Sequence, residues 1–221
     1  MTTAPTPETP SPATISPPLR AIAYVDGQNL FHEAQRAFGY DYPNFDVLRL
    51  AQWVCRNQGW ALQEARFYTG IPGPGDDPFW NTFWQRKLRA MSQKGIKTFS
   101  RALRYRTETL ILPDGTSHTL RYPQEKGIDV RIAIDALRGA FTRACDVAIF
   151  FSLDQDLSEV ALDIRATGQE QGRHLRVASA FPWAGVAAPF PIGHTTGIPI
   201  DRVTYDACID PRDYRPASRG R

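Results

Sequence analysis

Paired cysteines are missing from this sequence, and so is any strong excess of charge. Among 221 residues there are three cysteines, Cys55, Cys145 and Cys208. They lie far apart, with no C-x-x-C pair, which excludes a disulfide framework or a zinc knuckle and points to reduced thiols in a cytoplasmic protein. The four histidines, His32, His118, His174 and His194, share no ligand spacing, so neither a zinc site nor a histidine-based nucleophile is indicated. No apolar run approaches the roughly 20 residues of a membrane span. The N-terminus lacks the basic start and apolar stretch of a signal peptide. A formal net charge of +3 is compatible with a polyanionic partner without requiring one.

What is present is an alternation of short apolar runs and helical patterns between two polar ends. "TAPTPETPSPATISPPL" has few groups to bury and prolines that remove amide donors, so residues 1–19 read as a disordered leader. Residues 206–221, with "DPRDYRPASRGR", read as a polar tail. Between them, 20–205 form one domain. "AIAYV" (21–25), "EARFYTG" (64–70), "DVAIFFS" (146–152) and "HLRVASAF" (174–181) read as strands. "LFHEAQRAF" (30–38), "VLRLAQWVCRNQG" (47–59), "DPFWNTFWQRKLRAMSQKG" (77–95), "EKGIDVRIAIDALRGAFTRA" (125–144) and "LSEVALDIRATGQEQG" (157–172) read as helices. "IKTFSRALRYR" (96–106) starts a further strand, and the Pro-Asp-Gly turn in "TLILPDGTSHTLRY" (109–122) predicts a β-hairpin. The expected fold class is α/β: a three-layer sandwich with a mainly parallel central sheet, helices on both faces and a hairpin insertion. The pattern weakens after residue 181, with "RVTYDACI" as a last short element.

Acidic residues fall where such a fold would use them. Ligand sites in open α/β sheets form beyond the carboxyl ends of strands. Asp26, in "YVDGQN", stands at one such end, and Asp154 and Asp156, in "FFSLDQDLSEV", stand at another. Helical spacing aligns Asp129 with Ala133, Ala136 and Ala140, so this carboxylate leaves the first turn toward the sheet edge. Each aspartate has a plainer role as well. Asp26 is placed to cap the next helix, and Asp156 with Glu159 is spaced as a capping box. Asp135 has Arg131 and Arg138 at ion-pair spacing and reads as structural. Several carboxylates meeting in one semi-buried pocket repel each other, and a hard cation such as Mg²⁺ or Mn²⁺ removes that repulsion. Asn29 is positioned to orient a carboxylate or a water.

The blocks "YVDGQN", "EKGIDVRIAIDAL" and "FFSLDQDLSEV" resemble, in order and separation, the D-x-x-N, K-G-x-D and S-x-D-x-D motifs of the NYN family of PIN-like nucleases, in its LabA-like bacterial branch. The resemblance runs from about Ala21 to Phe181. It implies a parallel sheet between helical layers and a Mg²⁺- or Mn²⁺-dependent acidic site that hydrolyses RNA, or sometimes DNA, to leave 5′-phosphate and 3′-hydroxyl ends. Carried over by position, the catalytic and metal-binding set is Asp26, Asp129, Asp154 and Asp156, supported by Asn29 and Ser152. Asp135 also matches an acidic family position. The chain departs from the pattern at Leu153 and Leu157, where the family usually has Gly and Phe.

Other motifs shape the expected partners. "GIPGPGDDP" lacks dinucleotide-fingerprint spacing, and Pro72 and Pro74 remove amides that would hold phosphate, so it reads as a stiff loop. Arg101, Arg104, Tyr105, Arg106, Arg121 and Tyr122 combine charge and rings on or near the hairpin. Arg104, Tyr105, Arg106 and Arg121, with Lys126, are the candidate contacts to RNA or single-stranded DNA. A solvated edge strand has the same composition. Phe79, Trp80, Phe83 and Trp84 form a helical stripe that reads as core packing or as a surface for a second copy or another protein. The alternative to a nuclease is a non-catalytic nucleic-acid- or protein-binding regulatory module with a vestigial acidic site.

Overall fold

The computed structural model describes residues 17–186 and 189–217. The expected leader lies outside the described residues up to residue 16, and Leu19 already opens the first strand. In that strand, β1 (Leu19–Asp26), side chains alternate between two cores. Ala21, Ala23 and Val25 face one, and Ile22 and Tyr24 face the other. A strand buried on both faces has no solvent side to specify, which explains its unbroken apolar run.

The remaining elements follow the expected order. They are α1 (Gly27–Phe38), α2 (Val47–Asn57), β2 (Trp60–Ile71), α3 (Pro78–Gln93), β3 (Lys97–Ala102), β4 (Arg104–Ile111), β5 (Ser117–Gln124) and α4 (Ile128–Phe141). After these come β6 (Val147–Phe151), a short 3₁₀ turn (Gln155–Leu157), α5 (Ser158–Glu170), β7 (Arg176–Pro182), β8 (Thr196–Ile200) and α6 (Arg202–Ala207). Six strands form one sheet in the order β3-β2-β1-β6-β7-β8, and every neighbouring pair is parallel. Helices α1, α2, α3 and α6 pack on one face, and α4 and α5 on the other. The strand order reverses between β1 and β6, the switch point at which the connecting loops diverge and leave a crevice.

Three expectations needed correction. Residues 96–106 are two strands, because the chain leaves the sheet at Leu103 and β4 pairs only with β5, antiparallel, as a separate two-stranded ribbon. Strand β8 was not anticipated. It carries Gly197 and Pro199, and proline is tolerated at an edge position of a sheet, which β8 occupies. Within the stretch expected as a polar tail, residues 208–214 pack back on the body. Cys208 and Asn44 supply carbonyls to Asp46 and Asp210, and Tyr214 is buried edge-on against Phe83. Within the aromatic stripe, Phe83 and Trp84 are core, Trp80 is half-buried and Phe79 is exposed.

Candidate active site at the sheet switch point

Alternation along β1 places Asp26 on the same face as Tyr24, the face covered by α4. The same alternation in β6 sends Phe151 to the opposite core and so turns Ser152 toward α4. Asp129 leaves the first turn of α4 half-buried, while Ala136 and Ala140 further along are fully packed. One cavity of about 370 Å³ results, lined by Asp26, Glu125, Lys126, Gly127, Asp129, Val130 and Asp154. It sits at the carboxyl ends of β1 and β6, on the switch point. Gly127 turns the chain into α4 with φ +73°, and a side chain there would also crowd Arg101.

The capping role and the cavity role of Asp26 coexist because they use different atoms. Oδ1 accepts the amide hydrogens of Gln28 (3.1 Å) and Asn29 (3.0 Å), which starts α1 at Gly27, three residues earlier than its apolar pattern suggests. Oδ2 lies outside the cap. Burial pushes the Asp26 carboxyl up to about 6, with the charges of Asp154 and Asp129 adding to the rise and the two amides opposing it. Glu125 was not among the residues singled out. Burial pushes it up to about 7, and Asp26 and Asp129 contribute. Its carboxylate accepts the amide hydrogen of Gly70, 55 residues away in sequence. A side chain at Gly70 would overlap the ends of both Glu125 and Leu103, which would have to shift. The signal available in the sequence was its place directly before the K-G-x-D block. The Gly70 partner was invisible until β2 was placed beside β1.

The other candidates separate. Asp154 caps the 3₁₀ turn through the amide of Asp156 (3.0 Å), and Asp156 itself is exposed and outside the cavity lining. The half-turn between them rotates the second carboxylate toward solvent. Asn29 does not point its amide oxygen at a carboxylate. That oxygen accepts the amide hydrogen of Leu153 (2.9 Å), joining the turn after β1 to the turn after β6. Ser152 is buried, and its hydroxyl accepts the amide hydrogen of Asp154 (3.1 Å). Together, Asn29 and Ser152 hold the turn that carries Leu153. Asp135 belongs elsewhere. It is buried under β2, accepting from the Tyr68 hydroxyl (2.9 Å) and from Arg131 (3.0 Å), with Arg66 at 3.7 Å and Arg138 not paired to it. It lines a different cavity, with Arg66, Lys97 and Arg131.

Lys126 lines the acidic cavity, while Arg104, Arg106 and Arg121 are exposed on the hairpin. Arg121 lies 4.2 Å from the centre of the Tyr105 ring and pairs with Asp76 (2.6 Å). Among the described residues, no three His, Cys, Asp or Glu side chains are gathered into a ready metal cage. The donor set nevertheless suits Mg²⁺, which keeps several waters and takes only one or two carboxylates directly. A cavity of about 370 Å³ with mutually repelling carboxylates leaves room for such waters.

A parallel sheet between two helical layers, with a hairpin insertion and acidic side chains at the switch point, defines a PIN-like sandwich. The sequence profile of the NYN domain matches residues 20–172, and the chain belongs to that family of PIN-like nucleases. No curated protein matches. Among solved structures, a protein of unknown function from Vibrio parahaemolyticus is similar at 18% identity and a TM-score of 0.47, over 91% of this chain and 98% of that one. MurG from Acinetobacter baumannii is similar at 12% identity and a TM-score of 0.33, over 82% of this chain and 45% of that one. No helix among the described residues is long and apolar enough to cross a membrane.

Proposed function

We propose that the protein is a divalent-metal-dependent ribonuclease whose site is the acidic cavity at the end of β1 and β6. The observation that carries this reading is the gathering of Asp26, Glu125, Asp129 and Asp154 around one opening, with Asp26 and Glu125 both held well above ordinary carboxyl values. Electrostatic strain of this kind persists in a fold when the site serves a ligand that relieves it. Asp26, Asp129 and Asp154 would hold Mg²⁺ or Mn²⁺. When bound, the cation polarises the phosphodiester and makes water a nucleophile near neutral pH.

The chain's own residues supply the rest. The amides of Gln28 and Asn29 fix the Asp26 carboxylate in one orientation before substrate arrives. Glu125, anchored on the Gly70 amide at the cavity wall, is placed to accept a proton from the attacking water. Lys126, at the cavity wall, meets a phosphate oxygen. Asn29 and Ser152 keep Asp154 facing the cavity through the backbone of the Leu153 turn.

A double variant, Asp26→Asn with Asp154→Asn, tests the proposal. It abolishes Mn²⁺-stimulated cleavage of a single-stranded RNA while circular dichroism remains that of the parent. Equal cleavage by the double variant would overturn the reading. Leu153, where the family usually has glycine in the turn beside Asp154, favours the alternative, a regulatory module that binds RNA without cutting it. Intact RNA after incubation of the parent protein with Mg²⁺, Mn²⁺ and Co²⁺, alongside measurable RNA binding, selects that alternative.

A further inference from the structure

A second cavity lies beside the acidic one, on the opposite side of the strand ends. Its volume is about 410 Å³, within the range of small-molecule pockets. Its walls carry the rings of Phe31, His32, Trp80, Trp84 and Tyr105, with Leu103 also in the lining. Gln28, Gln35 and Asp41 supply polar edges. This mixture of flat apolar walls and a few hydrogen-bonding groups is suited to a flat heterocycle with polar edges.

The two cavities share a partition. Gln28 lines the aromatic cavity two residues after Asp26 lines the acidic one. The Gln28 side-chain amide donates to the Gly70 carbonyl (3.4 Å), while the Gly70 backbone amide donates to Glu125 on the acidic side. The base of the hairpin straddles both. Tyr105 and Pro123 face each other in the β4–β5 register and line the aromatic cavity, and Glu125, two residues on, lines the acidic one.

The walls are set in advance. The Trp80 ring is held edge-on between Phe79 (5.4 Å) and Phe83 (5.1 Å), and its amide is capped by Asp77 (3.0 Å). Arg121 stacks on Tyr105 and is tied to Asp76, which fixes the ring. Asn81 donates to the Pro72 carbonyl (2.7 Å), bracing the proline-rich loop that forms the rim.

We infer that this aromatic cavity binds one unstacked nucleobase of single-stranded RNA, the base of a nucleotide flanking the phosphodiester in the acidic cavity. The inference rests on the proposed ribonuclease reading for the identity of the strand, but the pocket's occupancy is measurable without cleavage. A base taken into this pocket must leave its neighbours, so paired RNA is excluded and single strands or loops are selected. Stacking on aromatic side chains tolerates any base, since every base has a π-face.

The test uses the full chain in EDTA, with a single-stranded RNA carrying 2-aminopurine at successive positions. At one position fluorescence is quenched on binding. Trp80→Ala and, separately, Tyr105→Ala remove that quench and weaken binding about tenfold. Trp80→Phe restores affinity. An abasic nucleotide at the same position weakens the parent by a similar factor and weakens the alanine variants no further. Tyr105, on the outer hairpin, carries the test if Trp80→Ala fails to fold. Unchanged affinity and quench in the Tyr105→Ala protein, or additive losses with the abasic strand, overturn the inference. Asp26→Asn keeps the quench. A parent protein that quenches through Trp80 yet never cuts RNA retains the pocket and loses the nuclease reading. One that cuts RNA with no position quenched retains the nuclease reading and loses the pocket.

Discussion

Asp26 is a capping residue and a strained acid at once. Its folded-state value, about 6 against an ordinary 3.8, means that the folded chain holds this proton more tightly than the unfolded chain does. The resulting stability is complete below pH 3.8 and lost as pH rises through about 6. Glu125 acts in the same sense between 4.5 and about 7. At roughly 1.4 kcal/mol per pH unit between folded and ordinary values, the ionised Asp26 costs the metal-free fold on the order of 3 kcal/mol at pH 8. Asparagine keeps the helix cap without the charge. Asp26→Asn therefore melts several degrees above the parent at pH 8 without metal, and the difference vanishes near pH 4. Mg²⁺ raises the melting temperature of the parent at pH 8 more than at pH 5, and leaves the variant nearly unmoved. Differential scanning fluorimetry across pH checks all of these. An Asp26→Asn protein less stable than the parent at pH 8 would contradict the electrostatic account.

Among the elements, the β4–β5 ribbon is the least integrated. It pairs with no strand of the main sheet, and its side chains are almost all exposed. A two-stranded ribbon alone contributes little to stability in water. Replacing residues 107–121 with a short turn leaves Arg104, Tyr105 and Glu125 in the chain and removes Arg121. The main sheet then keeps its circular dichroism, and its melting temperature stays within a few degrees. Affinity for single-stranded RNA falls, because the stack holding Tyr105 is gone. A broad loss of helix signal on trimming would show instead that the ribbon supports the body. Helix α3 was legible from its pattern, and its start is fixed by Asp77 accepting from the Trp80 amide, with Pro78 in the first turn. Strand β8 was not legible, since glycine and proline disguise an edge strand whose only partner is β7.

At the scale of the whole molecule, the net charge of +3 gives little attraction for a polyanion unless the cations are grouped. Arg104 and Arg106 share one face of the ribbon and Arg121 lies on the other, with Lys126 just beyond its base. Each phosphate contact on a single strand contributes about 0.7 to the slope of log affinity against log salt. Arg104→Ala with Arg106→Ala is thus expected to lower that slope by about 1.4, measured by anisotropy between roughly 50 and 200 mM salt. An unchanged slope would move the strand's path off the ribbon.

Local sequence was sufficient for the α/β class, most helix and strand positions, the ribbon's turn and the three motif blocks. These depend on periodicity, caps and turn chemistry carried by neighbouring residues. What only the folded chain decided was which carboxylates share a cavity. The strand order set β1 against β6 and so gathered Asp26, Asp129 and Asp154. A 3₁₀ half-turn sent Asp156 to solvent, and the Gly70 amide, in a strand beside β1, captured Glu125. Those outcomes rest on contacts between residues distant in sequence, and no local pattern encodes which distant backbone group a side chain will meet.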